Sequence, residues 1–163
     1  MPVTQNAASP GSPTGAPTAT ATATATPAVI RSAESRRIQV PSGLVTTLAS
    51  PAQGGAGLAV WRMDITPGAA GPVHAYDTEQ VWTVISGAAT VELDGGAIRL
   101  APGDTLVIPA GATRQMIAGP QAGVSAISVT PAGTRAYSRA GPVQVDPHCA
   151  TPEGGKLIPA WVV

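Results

Sequence analysis

The chain has 163 residues, enough for one ordinary domain that buries its own core without disulfide staples. Nine Lys plus Arg balance nine Asp plus Glu, so there is no basic field to hold phosphate backbones or an acidic membrane, and neither nucleic acid nor a membrane is an expected partner. Charged residues make up 11 % and hydrophobic residues 44 %, with 19 Gly and 17 Pro, a balance that fits short strands joined by tight turns and points to an all-β fold.

Cys149 is the single cysteine, so no internal disulfide forms and a reducing, cytoplasmic setting is expected. No run approaches the roughly 18 apolar residues of a spanning helix, and the N-terminus has neither the basic start nor the apolar core of a secretion signal. A soluble protein is expected.

Residues 1–30 hold no charge and run into the strict Thr-Ala alternation from Thr18 to Thr26. With almost no large apolar side chains, the segment cannot offset its ordering entropy and is read as a disordered tail, with the folded domain over residues 31–163. From Arg36 to Leu48 the pattern gives one or two strands broken at Pro41-Ser-Gly43, and Gln53 to Gly57 is a connection. Leu58 to Thr66 reads as a half-buried strand in which Trp61, Met63 and Ile65 share one face and pack as core.

Beyond the turn at Pro67-Gly68, strands are predicted over Gln80–Ile85, Ala89–Leu93, Ile98–Leu100, Thr105–Pro109, Thr113–Ala118 and Val124–Thr130. Ser86-Gly87, Asp94-Gly-Gly96, Pro102-Gly-Asp104 and Ala110-Gly111 are read as the turns between them, the second being a hairpin turn of the Asp-Gly type. Some eight short strands with no helical period between them favour a sandwich or small barrel. Pro131 to Pro159 is expected to drape over that barrel. Leu157 to Val163 is too apolar to be left in water and is expected to pack as an edge strand on its own barrel, or on a partner subunit in a homodimer.

Two spacings in this region carry more information than the strands. Gly68, five residues, His74-Ala-Tyr76, three residues, Gln80, six residues and Gly87 form the first; Gly103, five residues, Pro109-Ala-Gly111, two residues and Arg114 form the second. Over about residues 56–130 the chain resembles the cupin superfamily, whose resemblance implies a single double-stranded β-helix, or jelly-roll, barrel. In that family two histidines and a carboxylate of the first motif and a histidine of the second converge on one metal inside the barrel. Carried onto this chain, those positions are His74, Tyr76, Gln80 and Arg114, so only His74 keeps the family's ligand type. A fixed cation at position 114 opposes a tight divalent site. No cofactor is therefore expected, the alternative being one divalent ion such as Fe, Zn, Mn or Ni held by His74 and Gln80.

Strand alternation puts 74, 76 and 80 on one inward face and turns Glu79 outward. His74 can exchange a proton near neutral pH, Tyr76 and Gln80 can hydrogen-bond, and Arg114 can hold an anion. Trp82 and Met116 follow on the same faces and, with Trp61, are the expected substrate-binding side chains for a flat, partly apolar ligand bearing a carboxylate, carbonyl or enolate. The competing reading pairs Arg114 with an internal carboxylate and makes His74 a satisfied core histidine. Asp146-Pro-His148-Cys149 gathers ligand types at no recognised metal spacing and reads as loop, and Gly54-Gly55 and Gly95-Gly96 lack the following helix a phosphate loop needs.

These residues imply a small-molecule cupin enzyme of isomerase, cyclase or dehydratase type, with His74 as general acid or base, Tyr76 and Gln80 orienting the substrate and Arg114 stabilising an oxyanion. The alternatives are a non-catalytic ligand-binding or sensing barrel, a structural or assembly module, and a metal-dependent dioxygenase.

Overall fold

The computed structural model describes residues 27–138 and 155–163. The expected tail thus lies outside the described residues up to position 26, as do Asp146, His148 and Cys149; Ile30, the last residue of that segment, is half-buried. Among the described residues there are twelve strands and no helix. The protein is all-β, an open jelly roll.

A six-stranded sheet forms one wall. Its members are β1 (Arg37–Val40), β2 (Gly43–Ala49), β3 (Leu58–Ile65), β5 (Gln80–Gly87), β8 (Thr105–Ile108) and β10 (Val124–Pro131), in the spatial order β1-β2-β3-β10-β5-β8. Opposite lie two three-stranded sheets. One has β7 (Gly96–Leu100), β6 (Ala89–Leu93) and β9 (Arg114–Ala118) in that order, and the other has β12 (Lys156–Leu157), β11 (Ala136–Tyr137) and β4 (Ala75–Tyr76). The three sheets do not close into one hydrogen-bonded ring, so packing of their inner faces holds them together.

Register explains which residues face inward. Thr47 opposes Trp61, Trp61 opposes Ser128, and Ser128 opposes Trp82, which opposes Leu106. Directly opposed residues of antiparallel strands share a face, so this row crosses the large sheet with small hydroxyl residues separating the two indoles. Trp82, Val84, Ile108, Ala126 and Val124 from this sheet pack with Val91, Leu100, Met116 and Ala118 from the β7-β6-β9 sheet in the larger apolar cluster. Val45, Ala59 and Trp61 form a smaller cluster with Val162, and Met63 packs against both.

The predicted strands recur with shifts of a residue or two, and two details differ. Ser86-Gly87 is not a turn but the end of β5, paired to Ser125 and Val124, and the chain turns one residue later, where Ala88 N–H donates to Gly123 O at 3.0 Å. The added strands β4, β11 and β12 are two residues long, too short for any periodicity to reveal. The C-terminal segment packs on its own barrel: Lys156–Leu157 pairs with β11, and the Val163 carbonyl oxygen accepts hydrogen bonds from Arg36 and Ser50. Val162, fully buried, contributes about 1.5–3 kcal/mol as an apolar side chain removed from water.

The Asp94-Gly95 hairpin has the form its sequence predicts, since both residues hold positive φ (46° and 85°), the signature of a type I′ turn. Gly87 is needed for a different reason. Its φ is +74°, and a Cβ built there would lie 2.1 Å from Gly123 O. Gly87→Ala should therefore cost at least about 2–3 kcal/mol, from backbone strain and forced separation of β5 and β10; urea unfolding of the two proteins measures it, and an unchanged midpoint would contradict this account.

Candidate active site

The segment between the Pro67-Gly68 turn and β5 runs alongside β9. His74 N–H donates to Arg114 O at 3.1 Å and Arg114 N–H to His74 O at 2.9 Å, an isolated antiparallel bridge that sets both side chains on one face. Two residues on, Tyr76 is anchored in β4 opposite Ala136, and its carbonyl accepts Gly111 N–H at 2.8 Å. Gln80 opens β5 opposite Ile108. His74, Tyr76, Gln80 and Arg114 thus come together from three separate stretches of chain. Glu79 is exposed, as alternation predicts.

Arg114 is not placed where the sequence suggested. It is 1 % exposed and lies behind the cavity wall. Its Nη2 donates to Gln80 Oε1 at 2.7 Å, its Nη1 donates to Ala112 O at 3.1 Å, and its guanidinium carbon stands 4.4 Å from the centre of the Tyr76 ring. Among the described residues no carboxylate is hydrogen-bonded to it; an amide oxygen, a carbonyl and an aromatic face stand in for a counter-ion. Burial lowers its pKa to about 10, against the opposing influence of Tyr76 and Tyr137, so it stays a cation at neutral pH.

This arrangement settles the orientation of Gln80. A guanidinium only donates, so the atom facing it must be the amide oxygen. The amide nitrogen is left for the cavity side, and Gln80 offers the cavity N–H donors. The Arg114 bond also polarises the amide and strengthens those donors.

His74 is fixed with similar economy. Its Nδ1 lies 2.8 Å from Pro72 O. A carbonyl can only accept, so the neutral ring carries its proton on Nδ1 and Nε2 is left with a lone pair. Desolvation, reinforced by the Arg114 cation and only partly opposed by the Pro72 hydrogen bond, lowers its pKa from 6.5 to about 4. The Tyr76 ring meets the imidazole edge-on, with 5.2 Å between centres, and lies 6.4 Å from Trp61.

A cavity of about 270 Å³ opens beside these residues. His74, Tyr76, Gln80, Trp61, Trp82 and Met116 all line it; Arg114 does not. Its remaining walls include Met63, Ile65, Ala136 and, from the C-terminal segment, Pro159 and Trp161. Sequence reasoning missed Pro159 and Trp161 as site residues. The apolar character of that terminus showed it had to pack somewhere, but no local pattern says against what.

The positions at which the family holds a metal do not suit one here. His74 Nε2 is the one imidazole donor among them, the Gln80 oxygen is engaged by Arg114, and the fourth position is itself a cation. Among the described residues no group of three His, Cys, Asp or Glu gathers.

An open jelly roll with one apolar cavity, walled by strand residues from both sides and reached by a histidine and a glutamine, defines a small cupin-type barrel. Residues 61–130 match the family described as Cupin domain, which supports membership of the cupin superfamily. Solved structures agree on the fold. KdgF from Halomonas sp. is 25 % identical, with 65 % of this chain and 94 % of that chain covered and a TM-score of 0.55. The polyketide cyclase RemF from Streptomyces resistomycificus is 18 % identical over 63 % of this chain and 77 % of that one, with a TM-score of 0.55. A Bacillus subtilis oxalate decarboxylase is 18 % identical over 61 % of this chain, with a TM-score of 0.56, and the match spans only 28 % of that longer protein. No curated protein matches the chain. No described helix is long and apolar enough to cross a membrane.

The His74 environment has a consequence for stability. The folded protein keeps this imidazole neutral down to about pH 4, whereas an unfolded chain takes up the proton at about pH 6.5. Between those values the unfolded state binds more protons, so the stabilisation is complete above pH 6.5 and is lost as pH falls toward 4. Melting temperature should drop across that window in the native protein and drop less steeply in His74→Gln, compared in the same buffers. His148 is present in both proteins and cancels.

Proposed function

We propose that this cupin is a metal-independent enzyme that moves a proton on a flat, carbonyl- or enol-bearing substrate, in an isomerisation, cyclisation or dehydration. The observation that carries this reading is the His74 pair: Nδ1 tied to Pro72 O at 2.8 Å and a pKa near 4, which together leave Nε2 as an unprotonated acceptor. A base this weak is always ready but suits only an acidic proton, such as one flanked by two carbonyls. The proton passes from substrate carbon to Nε2, the C–H electron pair moves onto the carbonyl oxygen, and the resulting enolate accepts a hydrogen bond from the Gln80 amide nitrogen. The new imidazolium and the enolate hold each other as an ion pair. Return of the proton to another carbon, attack of the enolate carbon on a second carbonyl, or loss of a β-hydroxyl gives the three outcomes.

Arg114 serves here as a positioning residue, holding Gln80 with its donors toward the cavity and adding a positive field where negative charge develops. Trp61, Trp82 and Met116 supply the flat apolar surface. Polyketide cyclisation by RemF shows that such chemistry has been built on this fold, though fold alone does not assign it. We place the protein in the cytoplasm, as a homodimer.

The test is proton exchange. α-Methylbenzoylacetone in deuterated buffer should lose its carbon-bound proton faster with the protein than without it, and His74→Gln should remove about a hundredfold or more of that acceleration, the scale of general-base catalysis. The rate should be flat from about pH 5.5 to 8 and fall below the His74 pKa of about 4. Binding without acceleration would favour the non-catalytic barrel. Gln80→Glu keeps the Arg114 partner but turns an acceptor toward the cavity, so exchange should fall at least about tenfold while the fold persists; calorimetric melting checks the latter, and undiminished exchange would count against the donor role.

A further inference from the structure

The chain has three tryptophans, two tyrosines and no phenylalanine, and Trp61, Trp82, Trp161 and Tyr76 all line the same cavity. Four of five aromatic side chains meeting there makes the cavity a flat-walled slot. Among the described residues no Asp, Glu, Lys or Arg lines it, and the Arg114 cation sits behind Tyr76. A quaternary ammonium ligand, which such aromatic walls can otherwise hold, is disfavoured by that charge.

The indole nitrogens carry more specific information. Trp82 Nε1 and Trp161 Nε1 are both buried and have no hydrogen-bond partner. Trp82 is 3 % exposed and belongs to the larger apolar cluster, whereas Trp161 packs on the smaller one, and both side chains line the cavity. The hydroxyls of Ser128 and Thr47, on the same inward row as Trp82, are also without partners, so neither serves as the missing acceptor. A buried N–H left unpaired gives up its hydrogen bond to water with nothing in return, whereas a phenyl ring in its place would lose nothing of that kind. An indole at these positions is therefore an expense that apolar packing alone does not require.

We propose that Trp82 and Trp161 form a second donor subsite, apart from His74 and Gln80, that takes a neutral oxygen of the ligand through a small turn of the indole torsions. The ligand class is then a planar aromatic of one or two rings carrying two separate oxygen functions, one at Gln80 and one at the indoles. This rests on the reading of the cavity as a small-molecule site.

Calorimetric titration with acetophenone and para-diacetylbenzene tests it, because the two share one ring and differ in the second carbonyl. The native protein should bind para-diacetylbenzene about tenfold or more tightly than acetophenone, and Trp82→Phe or Trp161→Phe should shrink that ratio toward unity. Trp161 is only half-buried, so its variant keeps the test open if the Trp82 variant fails to fold. The ratio is read from binding alone and the proton-transfer reading from deuterium exchange, so failure of one is distinguishable from failure of the other. Equal affinities in the native protein, an unchanged ratio in both Phe variants, or no binding of either probe would overturn the proposal.

Discussion

A buried guanidinium, hydrogen-bonded among the described residues to an amide and a carbonyl oxygen and to no carboxylate, is the constraint around which the site is arranged. Arg114 cannot give up its charge at neutral pH, so the structure must surround it with acceptors and a π face, and it recruits Gln80, Ala112 and Tyr76 for the purpose. Each recruitment has a consequence on the cavity side. Gln80 is turned so that its donors face inward, Tyr76 is fixed flat between Arg114 and the imidazole, and the His74 pKa is depressed further than burial alone would take it. A side chain that does not touch the cavity thereby decides what the cavity offers.

The second organising feature is the gap between two apolar clusters. The large sheet contributes to both clusters, and the inner face of β3 runs from Ala59 and Trp61 in the smaller to Ile65 in the larger, with Met63 between them. The C-terminal segment closes the smaller one: Val162 is driven into it, and the same seating brings Pro159 and Trp161 to the cavity wall. Core burial and site construction are here one event, since the apolar drive that hides Val162 also delivers an indole to the ligand space. The hydrophobic share of a chain with so few aromatic residues is carried by Val, Ile, Leu and Ala, and the aromatics are reserved for the slot.

The long strands were legible because alternation and glycine-proline turns are local signals. Leu58–Ile65, Ala89–Leu93 and Val124–Pro131 fall within a residue of their expected bounds. Ser86-Gly87 misled because a serine-glycine pair usually marks a turn, whereas this glycine is required by the close approach of Gly123 O from the turn that precedes β10. The two-residue strands β4, β11 and β12 had no period to read, and their pairing is dictated by neighbours about 20 to 60 residues away in the chain.

The same division runs through the site. By itself the sequence determined that positions 74, 76, 80 and 114 belong to one constellation, and that a cation and an amide stand where metal ligands would otherwise be, because motif spacing and residue type are properties of the chain alone. Only the tertiary structure decided that Arg114 points at Gln80 rather than into the cavity, which nitrogen of His74 holds the proton, and that Trp161 joins the wall. Those outcomes depend on which acceptors lie within about 3 Å of each donor once distant strands are packed, and hydrogen bonds at that range are set by the fold rather than by the order of residues.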